Sequence, residues 1–509
     1  MSGQADDRRA FTPRTPANEN PDGVSYRRGF VTRHQVSGWR FLMRRIASGV
    51  ALHDTRMLVD PLRTQTRAVW VGALVVVTGV AGCFLFSLIR PGGVAGNEAV
   101  LADRSTAALY VKVDEQLHPV LNLASARLIV GRPDNPTTVK SAELDRFGRG
   151  NLLGIPGAPE RMVQNTSRDA DWTVCDAASG PARGPTVIAG HLAGGGERAG
   201  ALPENSAVLA ENGGRTWLLW QGRRSPLDLN ERAVADALGL GAGPLTPRPI
   251  ATGLFNAVPE SPALRAPSIP GAGEPPRYPL PVDAPVGAVV VAFDTENTVR
   301  HYAVLADGLQ PIPPVLAAIL RNTNSFGLDQ PPRLGADEVS RTPVASSIGA
   351  LDTGVFPNDP VTLVDTAEAP VICAHWAKPE GANVSGLTLL SGAALPLETG
   401  TPTVDLVASG TRVVVAPGRG YLVQTVGQEP GSPVAGAQFW VSDTGVRYGI
   451  DTTGDTKAVQ ALGITAPPLP IPWSVLSLYA AGPTLSRDSA LTVHDTIQTQ
   501  SAAMAGENR

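Results

Sequence analysis

From Ala68 to Ile89 the chain reads AVWVGALVVVTGVAGCFLFSLI, 22 residues without a charge. At about 1.5 Å per residue, a helix of that length crosses a hydrocarbon core of about 30 Å. A span of this kind divides everything else in the chain into two compartments. Residues 1–67 hold twelve Arg against six Asp or Glu, with Arg56, Arg63 and Arg67 orienting the helix from beside the apolar run. The part after the run is net acidic. Positive charge is retained on the cytoplasmic side, so a single pass with a cytoplasmic N-terminus and a large outer body is expected. A cleavable secretory leader would be shorter in both its charged and its apolar parts. Val80-Ala81-Gly82-Cys83 has the look of a lipidation box, yet Phe84-Leu85-Phe86 carries the apolar run past Cys83, which reads instead as a membrane-facing or packed thiol.

The arm before the span has two parts. Residues 1–30 are rich in Arg, Pro, Asn and Asp without an apolar period and are expected to be a disordered cytoplasmic tail. Residues 31–67 differ. Val36, Trp39, Met43, Ile46 and Val50 recur at steps of three and four, on one face of a helix, with Arg40, Arg44 and Arg45 largely off it. Two uses of such a helix carry equal weight on periodicity alone, resting on anionic lipid or docking a cytoplasmic partner, and the reading adopted for these five residues is that they dock partner subunits. Asp60-Pro61 then offers a cap and a first-turn proline for a second helix running into the membrane.

Beyond the span, Gly (54) and Pro (46) approach a fifth of the 509 residues while aromatics are 5%, which favours turns and short strands over long bundles. Within this body a weak repeat recurs: ALYVKVDEQLHPVLNL (108–123), TWLLWQGRRSPLDLN (216–230), HYAVLADGLQPIPPV (301–315) and FWVSDTGVRYGI (439–450). Tyr110 to Pro119, Trp217 to Pro226, Tyr302 to Pro311 and Trp440 to Gly449 are each nine apart. Constant spacing points to one hairpin used four times. Helical stretches follow three of them, at 230–240, 314–320 and 456–464, so the expected unit is strand, strand, helix. Unequal Pro/Gly-rich inserts exclude a regular solenoid. The expected fold is α+β: one membrane helix at 68–89, then an elongated, β-rich body of four small repeat domains around a central one. The expected ranges are 101–150, 206–245, 285–325 and 431–465 for the repeats, 151–205 and 335–430 for the two parts of the central domain, and 466–509 for a C-terminal extension.

Each part of the central domain carries one cysteine, Cys175 and Cys373. Two cysteines in an exported body are most simply a disulfide. The loop would be nearly 200 residues long, and closing it stabilises by at most roughly 5 kcal/mol in the chain-entropy treatment. A metal site lacks ligands, since neither cysteine has another beside it and His375 stands alone.

Catalytic patterns were sought and are missing from the sequence. There is no GxxxxGK[ST] run to cradle phosphates, and none of the four Lys (112, 140, 378, 457) has that setting. GHLAGGGERAG (190–200) lacks the Lys and the Ser/Thr and reads as a loop. There is no GxSxG elbow, and the seven His (34, 53, 118, 191, 301, 375, 494) show no metal-binding spacing. No residue is assigned as catalytic, no metal or cofactor is expected, and the net charge of -4 favours no nucleic-acid partner.

Several longer stretches are distinctive when taken together: VTRHQVSGWRFLMRR (31–45), LADRSTAALYV (101–111), NLLGIPGAPERMV (151–163), FWVSDTGVRYGI (439–450), PPLPIPWSVLSL (467–478), and the Cys175 and Cys373 pair. In these the chain resembles, over almost its whole length, the EccB family of the mycobacterial type VII (ESX) secretion apparatus, and it looks nearest to the paralogue of the third ESX system. The resemblance implies a structural core subunit of the inner (plasma) membrane with a periplasmic body. Such a subunit would assemble with EccC, EccD and EccE, associate with a second copy of itself, and serve export of WxG-type and PE/PPE proteins. Proteins of this family also carry an ATPase label. The residues offer that label no phosphate loop, so hydrolysis is expected of EccC. A cell-wall binding anchor is the remaining alternative, without an aromatic sugar platform that the sequence singles out.

Overall fold

The computed structural model describes residues 32–53, 61–89 and 93–494, apart from 180–183, 242, 244, 295, 347–348, 408–409 and 453–457; of 61–64 and 87–89 only the backbone is described. The expected disordered tail 1–30 and Arg56 lie outside these residues. Helix α1 spans Arg33–Leu52. A capping box starts it: the Thr32 hydroxyl accepts from the Gln35 N–H, and the Gln35 side-chain oxygen accepts from the Thr32 N–H at 2.9 Å. Helix α2 spans Pro61–Ile89 with proline in its first turn. Among the described residues it is the one helix long and apolar enough to cross a membrane. Its Thr78 hydroxyl donates back to the Leu74 carbonyl at 2.7 Å, so even this polar group needs no outside partner.

A second compact unit begins at Gly93. Four small sheets in it share one topology. In the first, Val100–Asp103, Leu109–Val113 and Gln116–Val120 form an antiparallel meander, helix Leu123–Val130 crosses over, and Thr137–Val139 returns parallel to the first strand. The same order recurs from Ser206–Asn212 to Arg248–Pro249, from Val289–Phe293 to Arg333–Leu334, and from Tyr421–Val426 to Leu469–Pro472. A helix between the third and fourth strands is what lets the last strand lie parallel to the first.

The unit is therefore larger than two strands and a helix. Its fourth strand falls at Arg248–Pro249, Arg333–Leu334 and Leu469–Pro472, beyond the ranges expected for repeats two, three and four, and repeat four begins earlier, at Tyr421. The helix missed in repeat one is LASARLIV, capped by the Asn122 side chain accepting from the Ser125 N–H at 2.9 Å.

The nine-residue spacing has a direct geometric cause. Tyr110 faces Pro119, Trp217 faces Pro226 and Tyr302 faces Pro311 as cross-strand partners. In the first two, a two-residue turn with both φ positive, Asp114-Glu115 and Gln221-Gly222, joins the strands. The fourth repeat departs from this pattern. Its hairpin centres on Thr444, an odd-length connection, so Trp440 faces Tyr448, and Gly449 faces Phe439.

The central seven-stranded sheet takes Ala170–Ala177, Gly184–Ala189 and Gly200–Ala201 from one insert, and Val371–Lys378, Gly386–Gly392, Val404–Leu406 and Thr411–Val414 from the other. Trp172, Val174 and Trp376 on one face of it share a core with Val208 and Leu219 of repeat two and Tyr421 and Val423 of repeat four. Repeats two and three share a second core, and repeats one and four a third. The segment expected as a C-terminal extension is built into this body: Val493–His494 pairs with Leu152–Leu153, which joins the sheet of repeat one and not the central domain. The architecture is α+β.

Candidate functional site

The five apolar residues of α1 stand on one face and are all exposed, from Val36 at 39% to Val50 at 73%. No side chain of α1 is buried, and Trp39 is 64% exposed. Arg67 lies exposed in α2, and Arg63 lies in its first turns. The N-terminal features are thus two helices, one amphipathic and one that is uncharged and apolar from Ala68 onward.

In the outer body Cys175 and Cys373 face each other directly on adjacent antiparallel strands of the central sheet and form a disulfide, with S–S 2.06 Å and Cα–Cα 3.9 Å. Both are fully buried. Beside them lies an ion pair that sequence reasoning missed. The Asp176 carboxylate is 3.6 Å from the Arg248 guanidinium, both buried, and Arg248 also donates to the Asp176 carbonyl at 2.9 Å. Burial pushes the Arg248 pKa down, opposed by the Asp176 charge. Arg248 sits on the fourth strand of repeat two, so this contact fixes that repeat to the cystine strand. Arg224 ties the hairpin of repeat two to the helix Thr252–Ala257: its guanidinium lies 4.0 Å from the centre of the Phe255 ring and donates to the Phe255 carbonyl at 2.7 Å and to that of Val258. Arg248 falls in no motif, and Arg224, although inside the second repeat (216–230), is not one of the residues that define its spacing.

One row of groups has the outline of a nucleophile, base and acid. The Thr173 hydroxyl shares a 2.8 Å hydrogen bond with Nδ1 of His375, whose Nε2 is 3.8 Å from Asp171. Thr173 is fully buried within the sheet, so no substrate carbonyl could approach it. Burial pushes the His375 pKa down; Asp171 pulls it back up and His191 pushes it further down. The row is a structural network. Among the described residues, one open cleft of about 380 Å³ is lined in part by Arg223, Glu260, Trp376 and Glu429, and another of about 530 Å³ lies around Tyr278, Asp283 and Phe326. The Tyr278 hydroxyl has no hydrogen-bond partner among the described residues, and burial together with Asp307 pushes its pKa up to about 12, which keeps it neutral. Among the described residues no three His, Cys, Asp or Glu side chains are placed to hold a metal ion.

What these features describe is a membrane-tethered, cross-braced assembly body. A family model described as "Type VII secretion system ESX-1, transport TM domain B" matches residues 28–499. The chain belongs to the EccB family of type VII secretion. An EccB relative from Mycolicibacterium smegmatis, named "ESX-3 secretion system ATPase EccB3", is 67% identical over 503 residues, covering 97% of this chain and 96% of its own. The chain in "Structure of EccB3 dimer from the ESX-3 core complex" is 60% identical, with a TM-score of 0.69 over 78% of this chain and 100% of that one. A chain in "Structure of an intact ESX-5 inner membrane complex, Composite C3 model" is 34% identical, with a TM-score of 0.71 over 94% of this chain and 99% of that one. Identity thus separates the ESX-3 type from the ESX-5 type while the EccB fold is common to both.

Proposed function

We infer that this EccB chain is a structural core subunit of a type VII (ESX) inner-membrane secretion complex of the third-system type. The observation that carries it is the match to EccB proteins over nearly the full length, in a chain whose own parts run in the order amphipathic helix, one apolar span, cystine-bridged body. On this reading the N-terminus is cytoplasmic, as the Arg bias favours, the body is periplasmic, and it associates with a second copy. EccC, EccD and EccE are the other subunits, and export of WxG-type and PE/PPE proteins is the output. The test is co-purification from detergent-extracted membranes with a tagged copy. The full chain should bring down the other three subunits and a second, differently tagged copy of itself. A chain cut after Gly92 should insert yet fail to recover that second copy, and recovery of it would refute the assembly role of the body.

A second reading follows from the relatives' printed names, which call them ATPases. The sequence has no phosphate loop to support it, and hydrolysis is better placed in EccC. Purified chain free of other subunits should show no ATP turnover above background; turnover abolished by substitution within this chain would establish the enzyme.

A further inference from the structure

Helix α1 leaves open what covers its apolar face. Three observations bear on the occupant. Its apolar residues form one continuous stripe, Val36, Trp39, Met43, Ile46 and Val50, extended at the edge by Leu42 at 53% exposure. The helix contains Arg33, Arg40, Arg44 and Arg45 and no Asp or Glu, with Arg40 and Arg44 flanking the stripe along one side. Finally, only residues 54–60 separate the end of its cap at His53 from Pro61, the first residue of the membrane helix. Seven residues reach at most roughly 25 Å, so α1 is confined near the bilayer whatever else it meets. Confinement of that kind corresponds to an effective concentration in the millimolar range, at which even a weak surface affinity is satisfied.

We propose that the apolar face of α1 lies in the interface of the bilayer that α2 crosses, held by anionic lipid headgroups. An interfacial helix needs one apolar side, a flanking row of cations whose long stems let the charge reach the headgroups, and no acidic residue to be repelled by them; α1 has all three. A protein groove would equally accept the stripe, but the complete absence of acidic residues and the short tether favour the lipid. This rests on the proposed topology with a cytoplasmic N-terminus, where the leaflet is anionic.

The full chain tests it. With Cys83→Ala, and with Cys175 and Cys373 engaged in their disulfide, a single nitroxide can be placed by Met43→Cys on the stripe or by Ser37→Cys on the far side. The chain is reconstituted into vesicles of phosphatidylcholine alone or containing about one third phosphatidylglycerol. In the anionic vesicles the label at position 43 should collide with oxygen and be shielded from a water-soluble nickel complex, and the label at 37 should show the reverse. Adding Arg40→Gln and Arg44→Gln should shift the equilibrium more than about tenfold toward the free helix. Equal nickel access at both positions in anionic vesicles overturns the proposal, as does shielding that arises only when other secretion subunits are added. The chain floats with the vesicles through α2 in every case, so failure here is separable from failure of the membrane-anchor reading.

Discussion

At the scale of single residues, two buried groups of the central sheet carry measurable consequences. The cystine joins strands brought from opposite halves of the body, its two ends 198 positions apart in sequence. Replacing both Cys175 and Cys373 with Ala leaves the sheet pairing intact and releases only the unfolded chain. The expected loss is up to about 5 kcal/mol, read as a lower midpoint in urea with a steeper slope, because the unlinked unfolded chain exposes more surface. Both sulfurs are fully buried, so reductant added to the folded protein should act slowly, at the rate of unfolding. His375 gives a pH dependence. Its native pKa is lowered, mainly by burial, from an unfolded value of about 6.5. The unfolded chain then binds the proton more readily than the native one. The stability contributed by neutral His375 is therefore complete above about pH 6.5 and is lost as pH falls from there toward the native pKa. Thermal midpoints measured from pH 7.5 downward should fall across that window, and His375→Gln should flatten this part of the curve.

At the scale of elements, the hairpins show what spacing can and cannot tell. Nine residues between aromatic and proline became a true cross-strand pair in three repeats, because an odd separation requires an even number of turn residues. The fourth has the same separation but an odd connection, and its register slips by one. The letters DTG could not disclose this, since turn length is settled by where the flanking strands stop pairing. The second hairpin turn also welds two modules. Gly222 has φ of +75° and packs so closely on the central strand that an added Cβ would lie 2.3 Å from the Leu387 carbonyl oxygen. Gly222→Ala combines a strained backbone with a collision against an unyielding backbone atom. A cost of about 1–3 kcal/mol is expected in thermal or urea unfolding, and Gly214→Ala, at φ +72° with open space around it, should cost less. The returning fourth strands are two to four residues long, too short for a hydrophobic period to register. The first strands, four to seven residues long, lie before the aromatic residue that anchors the nine-residue spacing, so the repeat read as two strands and a helix.

At the scale of the whole molecule, the membrane span, the cysteine pair and the number of repeats were legible because each rests on composition or spacing within one stretch. The pairing of repeats was not, because it depends on contacts between distant segments, such as the Arg127 side chain of repeat one donating to the Leu462 carbonyl of repeat four at 3.3 Å. The largest departure is at the end of the chain, where an extension was expected. Ser486 caps a short helix, Arg487–Ala490, whose Ala490 is fully buried in the core shared by repeats one and four. The Arg487 side chain donates to the Ile129 carbonyl at 3.4 Å, and the His494 ring is 2.7 Å from the Gly154 carbonyl oxygen. Residues 486–494 thus strap the last repeat to the first. Removing 486–509 would open one edge of the sheet of repeat one at Leu152–Leu153 and uncover apolar surface around Leu128 and Ile129 while leaving the cystine sheet untouched. Hydrogen exchange should then rise in 100–155 and stay unchanged in 370–392, whereas removing only 495–509 should leave both regions as they are. Equal protection in the two truncated chains would mean that repeats one and four hold each other without the strap, through the contacts of helix Leu123–Val130 alone.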